Sequence, residues 1–168
     1  GAVVVDGGLN VELKATGRFR IQGQVDSAPE GWTQAGVEFL DDTDSESDID
    51  PRNDRLMLAR AMWKARQLEE LVDEWIELAK KKERFSGQID QLLKDLGDMP
   101  SSESPTDCAM WVGALINPLP ALGVALEIRP ALLSARTAEE RVEVVLTGIQ
   151  RSIQHMQGQS LIPGDKKL

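Results

Sequence analysis

Between Ser104 and Pro120 the chain carries the start signals, the body and the stop signals of a buried helix, and this stretch limits the fold more than any other. Ser104 suits an N-cap, and Pro105 fits the first helical position, where its missing N–H costs nothing. Asp107 completes a capping box and places negative charge at the positive end of the helix dipole. From Cys108 to Ile116 no charged residue interrupts the run. A helix apolar on every side belongs inside a protein. The run is too short for a bilayer, which takes about 20 residues, and Asn117-Pro118 stops it. This is a core helix around which the remainder packs, and it holds no cluster of nucleophile, base or metal ligands.

A length of 168 residues suits one domain with a sizeable core, or a small domain with an appendage. No segment approaches the roughly 18 apolar residues of a membrane span, so membrane insertion is not expected. The formal charge of −9 opposes phosphate, which argues against nucleic acid as a partner. Cys108 is the single cysteine, which rules out an internal disulfide framework and a Cys-rich zinc module and leaves a small buried hydrophobe as its expected role. The opening Gly1-Ala2-Val3 has neither a basic leader nor an initiator Met, so a processed chain or a fragment is expected.

Residues 1–42 read as strands. Val3 to Val5 and a strand alternating Leu9, Val11, Leu13 and Ala15 with polar residues flank a turn at Asp6-Gly7-Gly8. A further strand puts Phe19 and Ile21 on one face and Arg18, Arg20 and Gln22 on the other; Ala28 to Gly31 is a loop, and Ala35, Val37 and Phe39 mark the next strand. Such strands need a cover or more strands to be stable. Residues 43–52 are the acidic loop; residues 41–50 hold six carboxylates, without the glycine and spacing of a calcium loop, so no metal is expected there.

A helical subdomain is expected over residues 53–158, followed by a frayed tail, 159–168. Met57, Ala61, Leu68, Leu71, Val72, Trp75, Leu78 and Ala79 form the stripe of a long helix, while Trp63 falls outside it, so the helix buries a second side or bends. Lys80, Lys81, Lys82 and Arg84 in its last turns complement the dipole, which accounts for them without a ligand. Ile89, Leu92, Leu93 and Leu96 share a face of a second helix ending at Gly97. After the core helix, Pro118, Pro120, Gly123 and Pro130 punctuate a compact apolar turn that reaches Leu133. The last helix opens with Thr137 and Glu140 as a capping box, carries Val142, Val145, Leu146, Ile149, Ile153 and Met156 as its stripe, and stops at Gly158. His155, without a second His or a nucleophile beside it, reads as a surface or capping residue.

The order of these parts resembles a family. The strand Asn10 to Ile21 with its Gly17-Arg18-Phe19-Arg20-Ile21 end, the strand Ala35 to Leu40 running into Asp41-Asp42, the helix and Leu-Pro turn from Trp111 to Pro120, and the Glu-Arg helix from Thr137 to Ile149 are similar to the N-terminal Lon domain. That domain is the substrate-recognition module of Lon proteases and also occurs alone. The resemblance covers most of Val3 to Ile153 and implies an α+β fold, a partial PUA-like β-pseudobarrel followed by a helical subdomain. The family's opening strands are missing ahead of Gly1, and neither a Walker loop nor a Ser-Lys protease pair is present. The apolar segment from Ala114 to Leu133 is most similar to stand-alone plant and algal members, which implies an organellar, plastid address.

Two functions fit. In one the chain is a non-catalytic module that binds polypeptide substrate or partner proteins, with Trp32, Trp63 and Trp111 as the peptide-contacting residues; all three suit core positions as well. In the other it is a Lon-like accessory structural subunit docked in a larger organellar complex. An enzyme is not expected, because no acid-base pair or nucleophile constellation is visible, and no cofactor is expected either.

Overall fold

The computed structural model describes residues 2–5, 8–11, 17–29, 31–40, 51–117 and 128–158. It is an α+β chain that divides into two compact units, Gly1–Asp42 and Thr43–Leu168. Expectations for Asp6, Gly7, Leu13, Ala15, the six-carboxylate run, the Pro118–Gly123 punctuation and the tail lie outside the described residues.

Among its described residues the first unit contains two antiparallel strand pairs. β1 (Ala2–Val5) pairs with β2 (Gly8–Val11), Val5 lying opposite Gly8, as a hairpin predicts. β3 (Arg18–Ser27) pairs with β4 (Thr33–Leu40), with Phe19 opposite Phe39 and Ile21 opposite Val37. Between the pairs Gln22–Gly36 and Val25–Ala35, β3 carries two additional residues, and Gly23 there takes φ +75°, a conformation favouring glycine. An insertion of two preserves the alternation, so Val25 returns to the face of Phe19 and Ile21. The connecting loop closes with the Ala28 carbonyl accepting from Gly31 N at 2.9 Å and Ala28 N donating to the Trp32 carbonyl at 2.8 Å.

Among its described residues the second unit holds five helices: α1 (Pro51–Lys80), α2 (Gln88–Leu96), α3 (Pro105–Ile116), α4 (Ile128–Ser134) and α5 (Ala138–Met156). α1 spans about 45 Å at 1.5 Å per residue. It starts two residues before the expected position, with Pro51 where a missing N–H is harmless. Its buried residues, Ala61, Ala65, Leu68, Val72, Trp75 and Ala79, alternate steps of four and three along one seam. Trp63 is 64% exposed, which corrects the expectation of a second buried side: one seam suffices, and the indole faces solvent. The helix also ends at Lys80, so Lys81, Lys82 and Arg84 lie beyond its last turn. Lys80 does not merely answer the dipole; its ammonium pairs with Asp90 of α2 at 2.7 Å.

Three helices run in one direction. Lys64 contacts Glu139 and Glu143, Trp75 contacts Ser152, and Glu74 contacts Gln157, so partners advance together along α1 and α5. α3 runs the same way as α5: Thr106 meets Arg141, and the backbones at Gly113 and Gly148 approach Val145 and Ile116. A Cβ on Gly113 would collide with Leu132, and one on Gly148 with Ile128, so both glycines let α4 seat close to α3 and α5. α3 is the buried helix expected, with Cys108, Ala109, Val112, Leu115 and Ile116 all at 0% exposure. Not every side of it is covered, since Ala114 is exposed and Met110 and Trp111 are half-buried.

Cap geometry divides the expectations. Thr137 forms its box, its Oγ1 accepting from Glu140 N at 3.1 Å while Thr137 N donates to the Glu140 carboxylate at 3.4 Å. Ser104 makes no side-chain cap bond, so the box expected with Asp107 is absent; the Ser104 N–H instead donates to the Ser101 carbonyl at 2.9 Å in a preceding turn. α2 is capped from outside. Gly87, its N-cap, has no side chain, and the Glu83 carboxylate accepts from Gly87 N at 3.0 Å and Ile89 N at 2.8 Å. The expected apolar turn around Pro130 is in part helical: Pro130 sits in the first turn of α4, where no intrahelical acceptor awaits its nitrogen.

Candidate functional site

A cleft of about 530 Å³ opens where α1, the end of α2 and α3 meet. α1 supplies Glu69, Val72, Asp73 and Ile76, spaced three, four and seven residues from the first and therefore on one helical face. α2 and its exit supply Leu93, Lys94, Gly97, Asp98 and Met99, and α3 supplies Trp111. Gly97 shapes the wall: at φ +71° it leaves the helix while its N–H still donates to the Leu93 carbonyl at 3.0 Å. Its own carbonyl accepts from the Trp111 indole nitrogen at 3.1 Å, so the indole and the α2–α3 connection hold each other in place.

The cleft is apolar below and charged above. Val72 is buried and Ile76, Leu93, Met99 and Trp111 are half-buried, whereas Glu69, Asp73, Lys94 and Asp98 are exposed. None of these four charged side chains forms a hydrogen bond or ion pair with another described residue. Glu69 and Asp73 are like charges one helical turn apart, an arrangement that costs an isolated helix a few tenths of a kcal/mol until a cation answers it.

Cys108, the one thiol, does not line the cleft; burial, with a smaller contribution from Glu69, pushes its pKa up to about 11, which keeps it a thiol at neutral pH. His155 is exposed on α5 and also lies outside the lining. Among the described residues no group of three His, Cys, Asp or Glu side chains could hold a metal ion, and no helix is long and apolar enough to cross a membrane. Arg141, at 0% exposure, donates to Thr106 Oγ1 at 3.0 Å and to the carbonyls of Ala135 and Arg136 at 3.3 and 3.2 Å, fastening the entrance of α5 to α3.

Of the three tryptophans expected to contact peptide, Trp111 lines the cleft, Trp63 projects from α1 outside it, and Trp32 belongs to the first unit at 65% exposure. Trp32 and Trp63 are therefore not core residues, and Trp111 is half in the core. Glu69, Asp73 and Asp98 are new to the site. For Glu69 and Asp73 the signal in the sequence is a helical face that mixes acids with Val72 and Ile76, which a search for apolar stripes passes over; Asp98, in the connection after α2, carries no such pattern.

The first unit has an exposed feature of its own. Phe19, Ile21, Val25, Val37 and Phe39 occupy one face of the β3–β4 ribbon, and Phe19 and Phe39 meet edge to face with centroids 6.3 Å apart. That face is open, with Phe19 55% and Phe39 69% exposed. No protein-family model matches this sequence, and no solved structure matches the fold at a significant level.

Proposed function

We propose that the chain is a non-catalytic recognition module of the N-terminal Lon type, binding polypeptide or partner protein, with Trp32, Trp63 and Trp111 among its contacts. The observation that carries this reading is the open apolar face of the β3–β4 ribbon. Two strands alone are marginal in water, and five large apolar side chains on one exposed face mark a surface for other polypeptide. The Gly17 to Ile21 strand and its Phe39-Leu40 partner, followed by a helical unit, keep the order that the resemblance to the Lon domain rests on. The pseudobarrel would then be completed by strands additional to these two ribbons, and the plastid address stays attached to the same resemblance.

The test is titration of a denatured, alkylated model protein against the whole chain. Retention that survives raised salt, because the contacts are apolar, and no ATPase or peptidase activity are expected. Absence of binding up to about 1 mM, weaker than about −4 kcal/mol, would reject recognition. The open face also suits permanent cover, which favours a second reading as an accessory subunit of a larger organellar complex. Co-elution of all native protein with one stable assembly would select it.

A further inference from the structure

We infer that the cleft between α1, the α2–α3 connection and α3 docks a basic, apolar segment of a partner polypeptide. An apolar side chain would rest on Val72, Ile76 and Trp111, and a neighbouring Lys or Arg would meet Glu69, Asp73 and Asp98. The inference rests on the recognition reading and names the chemistry recognised. A volume of about 530 Å³ falls within the range of sites that enclose a small ligand and holds one or two large side chains. Three carboxylates and one ammonium, Lys94, ring an apolar floor without pairing to described residues, so the rim carries an unanswered negative excess. An acidic or neutral apolar segment would leave that excess in place while displacing the water that solvates it. A basic one answers it, and a guanidinium beside an indole adds a cation–π attraction. Trp111, held by its bond to Gly97, loses little further freedom on binding, as an anchor at the centre of an interface should.

The experiment compares two short fluorescein-labelled peptides that share a Leu-Phe centre, one flanked by Arg and the other by Glu, by anisotropy with the whole chain. The Arg-flanked peptide should bind at least about tenfold tighter, with the difference shrinking as salt rises. Glu69→Gln with Asp73→Asn, amides on an exposed helix face, should erase the difference while leaving the helical circular dichroism and the unfolding midpoint unchanged. Equal binding of both peptides, or preference untouched by the double substitution, overturns the inference; if the denatured protein is still retained, the recognition reading survives that failure. Binding of neither peptide overturns it too, as does self-association abolished by the double substitution, which would give the cleft to a second copy.

Discussion

The ribbon and the helical unit carry apolar patterns of similar clarity, yet one pattern is buried and the other is not. In the helical unit the seam of α1 and the stripe of α5 meet over α3, and Leu68, Trp75, Val142 and Ile149 are fully enclosed. In the ribbon Phe19, Ile21, Val37 and Phe39 alternate as a half-buried strand should, but the face they share is open. Periodicity tells which side chains share a face. It says nothing of what covers the face, because cover comes from elements distant in sequence or from another molecule.

The comparison breaks most readily at Trp75. This indole is fully buried, and its nitrogen donates to Ser152 Oγ at 2.8 Å, joining α1 to α5 inside the apolar seam. Trp75→Ala should cost about 3 to 5 kcal/mol in denaturant unfolding, through lost burial and the cavity left behind. Trp75→Phe, which keeps most of the ring and loses the donor, should cost about 1 to 2 kcal/mol. A loss below about 1 kcal/mol for the alanine variant would mean that this seam is no better enclosed than the ribbon.

Cys108 probes the same interior by pH. Its pKa is about 11 in the fold against an ordinary 9.0, so the folded state keeps the proton longer than the unfolded one. The associated stability is complete below about pH 9 and is lost as pH rises toward 11, on the order of 2 to 3 kcal/mol in all. Comparing the unfolding free energy of the native chain with Cys108→Ala across this window isolates the thiol. Parallel pH profiles for the two proteins would show that the interior is wetter than its packing indicates. At pH 8 the native thiol should react with a maleimide far more slowly than the same thiol in denaturant.

The successes and misses of sequence reading follow from how far apart the interacting residues lie. Thr137 and Glu140, three apart, form their box as expected, and the stripes of α2 and α5 end at Gly97 and Gly158 as glycine at those positions requires. Ser104 makes no side-chain cap bond, and its N–H, the donor that Asp107 would accept from in a capping box, is already taken by the Ser101 carbonyl. Pro130 looked like a breaker, yet proline is tolerated in a first turn. Arg141 was invisible: on a helical wheel it is an ordinary charged residue, and its burial depends on Thr106 and on the carbonyls that α4 leaves at Ala135 and Arg136. The site was half legible for the same reason. Trp111 stands out as a large aromatic on an apolar helix, but the rim around it comes from separate elements, and Glu69 and Asp98 come to line one cleft only after folding.

A smaller effect is expected at Lys64, where polar contact between α1 and α5 sits at the edge of the core. Its ammonium lies 2.9 Å from Glu139 and 2.8 Å from Glu143, and hydrogen bonds to Glu143 and then Glu139 raise its pKa. With side-chain exposures of 27% for Lys64 and 59% for Glu143, water screens both pairs. Lys64→Met should therefore cost only about 0.5 kcal/mol, and less at high salt. A cost above about 2 kcal/mol would place this junction inside the core rather than at its rim.

A comparably small effect on stability, and the most telling one, belongs to Phe19→Ser. An aromatic ring at a covered position of a sheet contributes several kcal/mol, whereas one left 55% exposed has little burial to lose beyond its edge contact with Phe39. The substitution should shift the unfolding free energy by no more than about 0.5 to 1 kcal/mol. Binding should respond differently. If the open face is where polypeptide is held, loss of this ring weakens retention of a denatured model protein by about tenfold, an affinity change larger than the stability change in the same molecule. Measuring both on one preparation separates the alternatives. A large stability loss means that the ribbon face is already packed and the two regions are alike. A small one with unchanged binding means that the face is open but idle, and only a small loss joined to weakened binding keeps the contrast and gives it a purpose.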